Sequence, residues 1–111
     1  IDDSSMICKG YERVCLPALK ADLTSSRVVC PRSKADVDDF LAFVIGKDGS
    51  ADIIILDQNI ELSQEEGTIH GTALASKLRG LGFQGLIAIR SANSNPDDTT
   101  EYLKAGADLC I

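Results

Sequence analysis

The chain has 111 residues, 44% of them hydrophobic and 25% charged, with a formal net charge of −6. That is the make-up of one ordinary globular domain, with apolar material for a single core and not for two. The acidic balance argues against direct contact with nucleic acid, which calls for clustered Lys and Arg, and no apolar run approaches the ~20 residues of a membrane-spanning helix.

In chain order, residues 5–16 bring Ile7, Tyr11 and Val14 onto one helical face, and Pro17 should bend or end that helix near Cys15 or Leu16. Residues 26–30 (SRVVC) are β-branched and precede Pro31, the pattern of a short strand. Val37, Phe40, Leu41, Val44 and Ile45 then form an amphipathic stripe, with Asp36, Asp38 and Asp39 in the first turn and Gly46 and Gly49 as the stop. The unbroken run Ile53, Ile54, Ile55, Leu56 ends at Asp57 and predicts a strand buried on both faces, as in parallel sheets covered by helices. A polar stretch, 59–71, follows; its acidic part, 61–68, predicts a mobile surface insertion. Residues 72–81 predict a helix with Leu74, Leu78 and Leu81 on one side, and residues 86–90 a second apolar strand leading into Ser91 and Ala92. Pro96 suits the first turn of a helix running to Ala105 and stopped by Gly106, and residues 108–111 begin a last strand.

Strands alternating with helices give an α/β fold with an open, doubly wound parallel sheet. In such sheets ligands bind beyond the carboxyl ends of the strands. Asp2 and Asp3, Asp57 and Ser91 fall there. Any one of these acids alone would be read as a helix cap. Together they are costly: two unit charges about 4 Å apart repel by roughly 4 kcal/mol at an effective dielectric of 20. A hard cation such as Mg²⁺ relieves that repulsion.

The segments IDDS at 1–4, ADIIILDQN at 51–59, LIAIRSAN at 86–93 and YLKAGADLCI at 102–111 resemble the receiver domains of two-component response regulators and hybrid histidine kinases, in that family's order and near its spacing. The resemblance covers essentially the whole chain and implies a flavodoxin-like sheet of strand order 2-1-3-4-5. It implies that Asp57 is the phosphoacceptor, that Asp3 is a direct Mg²⁺ ligand, that Asp2 holds the ion largely through water, and that Asn59 offers its backbone carbonyl. Ser91 resembles the switch hydroxyl that turns inward to the phosphoryl group. The implied partners are a histidine kinase or a histidine phosphotransfer domain, and in some members a second copy of the domain. Neither nucleic acid nor a membrane is implied as a contact. Such a domain catalyses its own phosphorylation and dephosphorylation and is an enzyme only in that loose sense.

Several positions depart from the family pattern. Little of a first strand precedes Asp2, and the family's lysine would fall just beyond Ile111, so residues 1–111 read as a single receiver domain truncated in its first strand and after the start of its fifth. Lys104 lies in the preceding helix, and Arg90 should point away from Ser91 by strand alternation. The loop after Asp57 lacks Met-Pro, and the aromatic switch position is Cys110.

Two other functions fit the pattern less well. A pseudo-receiver would use the same fold only to bind protein. An aspartate-nucleophile phosphatase of the haloacid dehalogenase type needs a second aspartate where Asn59 stands. Gly80, Gly82 and Gly85 match G-x-G-x-x-G but follow a helix, whereas a dinucleotide site follows a strand. His70 reads as a solvated loop histidine. Cys8, Cys15, Cys30 and Cys110 lack metal-ligand spacing and read as reduced, mostly buried thiols of an intracellular, cytoplasmic protein.

Overall fold

Two five-residue runs of mostly branched apolar residues, Ile53–Asp57 (β1) and Leu86–Arg90 (β4), pair in parallel with Ile53 opposite Leu86 and Asp57 opposite Arg90. A computed structural model describes residues 1–22, 25–46, 51–63, 65–91 and 96–111. Gly49, Ala92 and Asn93 lie outside these. Among the described residues β1, β4 and Leu109–Cys110 (β5) form a parallel sheet in the order β1-β4-β5. With its helices this is an α/β fold. No helix among the described residues is long and apolar enough to cross a membrane.

The edge of β1 away from β4 is also engaged. Even-numbered positions face β4, as the Gln58 N–H to Arg90 carbonyl bond illustrates, and odd-numbered positions face Ile1. Ile1 N donates to the Ile55 carbonyl at 2.8 Å, and Asp57 N donates back to Ile1 at 2.9 Å. Asp2 N donates to the Val29 carbonyl at 3.1 Å. That bond ties residues 26–30 to the chain start, yet they form no regular strand, contrary to their β-branched pattern.

Helix α1 (Ser5–Gly10) starts at Ser4, whose hydroxyl accepts from Ile7 N, and passes through a π-helical turn, Tyr11–Cys15, into α2 (Leu16–Ala18). Of the two outcomes expected at Pro17, the helix does not end near Cys15 but is distorted there. The π turn, with Leu16 N bonded to the Tyr11 carbonyl, widens the coil ahead of the proline, where the ring would clash with the carbonyl four residues back. Cys8 is buried while Val14 is 65% exposed, so the packed face is not the one expected.

Helix α3 (Lys34–Val44) follows its stripe: Val37, Phe40, Leu41 and Val44 are buried, whereas Ile45, past the last turn, is exposed. Ser33 and Asp36 form a reciprocal capping box, and the Arg32 and Ser33 N–H groups hold the Asp36 carboxyl below its usual pKa. Helix α4 (Gly71–Gly80) buries Leu74, Ala75 and Leu78, and Leu81 lies beyond it, exposed. Helix α5 (Pro96–Lys104) buries Tyr102. These side chains meet Ile54, Leu56, Ile87 and Ile89 in one core, each fully buried apolar residue contributing about 1.5–3 kcal/mol. Ile53 is 59% exposed, so β1 is not covered along its whole length.

The acidic part of the polar stretch after Asp57 is a surface loop between Glu61 and Thr68, and two short strands frame it. Asn59–Glu61 (β2) and Thr68–His70 (β3) pair antiparallel, with Ile60 opposite Ile69 and Ile60 fully buried. This hairpin carries the chain back to α4 beside the end of β1.

Candidate functional site

Asp57 is the last residue of β1, and the Ile1 ladder sets Asp2 and Asp3 beside it. One carboxylate oxygen from each of Asp2, Asp3 and Asp57 lies within 4.8 Å of the other two. Asp2 is buried, its side chain only 3% exposed, and Asp57 is 16% exposed. The acidic pair is held by its own backbone surroundings. Ser4 N donates to Asp2 Oδ1 at 2.9 Å and Glu61 N to Asp3 Oδ2 at 2.8 Å. The Cys8 thiol donates to the Asp2 carbonyl at 3.2 Å, and the Cys30 thiol to that of Asp3 at 3.4 Å. Burial, with Cys30 close by, pushes the Cys8 thiol up to about 12. Of the four thiols only Cys8 is buried, and Cys30 is exposed.

Gly71 shapes the other side of Asp57. A Cβ there would stand 2.5 Å from the Asp57 carbonyl oxygen, so only glycine allows α4 to start this close to the end of β1. Gln58 fixes that start, its Oε1 accepting from Thr72 N at 3.1 Å.

The electrostatics follow from the crowding. Burial raises the Asp57 carboxyl above its ordinary pKa, and the charges of Asp2 and Asp3 raise it further. Arg90 and the Gln58 backbone N–H act in the opposite sense. Arg90 Nη1 lies 3.2 Å from Asp2 Oδ2 and 3.9 Å from Asp57 Oδ1.

Asp2, Asp3 and Asp57 are thus gathered as the sequence predicts. The Ser91 side chain is turned to another partner, and so is that of Asn59, whose backbone carbonyl is the group expected at the metal. The Ser91 hydroxyl accepts from the Tyr102 hydroxyl of α5 at 3.0 Å, and Asn59 Oδ1 lies 3.2 Å from His70 Nδ1. His70, exposed as expected, ends a strand and is not in a loop. Sequence reasoning gave Gly71 no role beyond ending the loop after Asp57, and it set Arg90 aside. Strand alternation was expected to turn Arg90 away from the Ser91 side of the sheet, yet its guanidinium lies beside Asp2 and Asp57. The signal was available in two equal five-residue strands, one ending in Asp57 and the other in Arg90.

The donor set fits a hard divalent cation. Ligand oxygens about 2.0–2.1 Å from Mg²⁺ stand roughly 3–4 Å apart, so the cluster needs to close only slightly from its 4.8 Å limit. Neither a scan against protein-family models nor a search of curated proteins finds a match for this sequence.

Proposed function

We propose that the chain is a phosphoaccepting receiver domain of a two-component phosphorelay, with Asp57 as the residue phosphorylated. The observation that carries this reading is the convergence of Asp2, Asp3 and Asp57 at the end of a buried parallel strand, around a half-buried carboxylate. A cluster of that kind gains from a cation, and Mg²⁺ would be held by Asp2, Asp3 and Asp57 with the Asn59 backbone carbonyl. When bound, the cation offsets the repulsion between an anionic nucleophile and an anionic phosphoryl group.

The remaining chemistry belongs to the side chains. An Asp57 carboxylate oxygen attacks the phosphorus of a phosphohistidine presented by a histidine kinase or a phosphotransfer domain. The O–P bond forms as the P–N bond breaks, and the imidazole leaves. Ser91 then exchanges its bond with Tyr102 for one to the phosphoryl group, passing the change to α5. A flavodoxin-like strand order of 2-1-3-4-5 is supported by the bonds of Ile1 to β1 and of Asp2 to Val29, together with the order β1-β4-β5.

The test is intact-mass analysis of the domain after incubation with a small phosphoramidate and Mg²⁺. One phosphoryl addition is expected, absent in Asp57→Asn and absent without the metal. A folded domain that stays unmodified throughout contradicts the reading.

A further inference from the structure

The acidic cluster contains a cation of its own. Asp57 and Arg90 are register partners on adjacent parallel strands, so their side chains leave the sheet at the same level on the same face. Arg90 Nη1 sits between two carboxylates, 3.2 Å from Asp2 Oδ2 and 3.9 Å from Asp57 Oδ1. Asp2 Oδ1 is already taken by the Ser4 N–H. A metal ion ligated by Asp2 and Asp57 therefore draws on the oxygen Arg90 occupies, and a dication and a guanidinium within a few ångströms repel.

The geometry points to Arg90 as an internal competitor of the divalent cation, which sets the site's metal affinity by holding Asp2 Oδ2 and Asp57. The inference rests on the reading above and deepens it. A cation must displace Arg90 from Asp2 in order to use that oxygen. Arg90 is 41% exposed, so it has room to swing outward, whereas Asp2 is fixed in place. The competition is also graded. A partly exposed ion pair is modest in strength, so Arg90 lowers metal affinity without abolishing it.

The test measures Mn²⁺ binding by electron paramagnetic resonance, with Mg²⁺ as displacing ion, in the wild-type chain, Arg90→Met and Arg90→Lys. Thermal melts of all three check folding. Arg90→Met is expected to bind Mn²⁺ roughly fivefold more tightly, the size of one partly exposed ion pair, and Arg90→Lys to stay near wild type. Equal or weaker binding by a folded Arg90→Met overturns the inference and leaves the metal site standing. No Mn²⁺ binding by any of the three overturns the metal site and the inference with it. Should Arg90→Met fail to fold, Arg90→Gln, with a polar tip suited to a 41% exposed position, makes the same comparison.

Discussion

The two ends of the parallel sheet each carry an arginine facing aspartate, and the two arginines are used in opposite ways. At the end where β4 begins, Arg79 donates to the carbonyls of Gly106, Phe83 and Gly85 at 2.8–3.0 Å and pairs with Asp108 at 2.9 Å. Asp108 Oδ2 also accepts from Ile87 N, so one acid and one base are matched by fixed partners. At the other end, among the described residues, Arg90 meets two of three gathered acids and makes one ion pair under 3.5 Å. The first end fastens α4 to the loops around β4 and β5. The second is left short of positive charge, which is what a cation or phosphoryl site requires.

Breaking the fastened end should cost the most. Arg79→Met removes several charge-assisted bonds and is expected to destabilise the fold by about 2–3 kcal/mol in urea unfolding, with little change in Mn²⁺ affinity. Gly71→Ala acts at the opposite end. Its Cβ forces the Asp57 carbonyl away, with an expected loss of about 1–3 kcal/mol and weakened metal binding in the same protein.

Asp57→Asn should instead stabilise. Folding raises the Asp57 pKa, so the folded chain holds that proton more tightly than the unfolded chain. The associated stability is fully present below the ordinary carboxylate pKa and is lost as pH rises through the raised value. The melting temperature of Asp57→Asn is thus expected to exceed that of wild type at pH 7 by a few degrees, with the gap closing below about pH 4. A gap that persists at low pH would place its cause outside the charge. The smallest effect belongs to Arg90→Met, where removal of a partly exposed pair should change stability without metal by under about 1 kcal/mol in urea unfolding.

The sequence made the strands and helices that build this contrast readable, because Ile54, Leu56, Ile87 and Ile89 lie in short apolar runs and α3 follows its 3.6-residue stripe. It also made Asp2, Asp3 and Asp57 readable as one group, since strand ends in a parallel sheet converge. The β2–β3 hairpin was hidden because one inward isoleucine per strand, Ile60 buried and Ile69 half-buried, leaves no alternation to detect. The π turn was hidden because Pro17 usually stops a helix and here is accommodated by a wider turn. Arg90 was misjudged for want of register: only the pairing of β4 with β1 brings it level with Asp57.

The most direct test of the central claim is borohydride trapping of the acyl phosphate. The domain is treated with phosphoramidate and Mg²⁺, reduced, digested and sequenced by mass spectrometry. Homoserine at position 57, dependent on Mg²⁺, is the predicted result. Unchanged aspartate at 57 in a folded domain, or reduction at another acid, would contradict it.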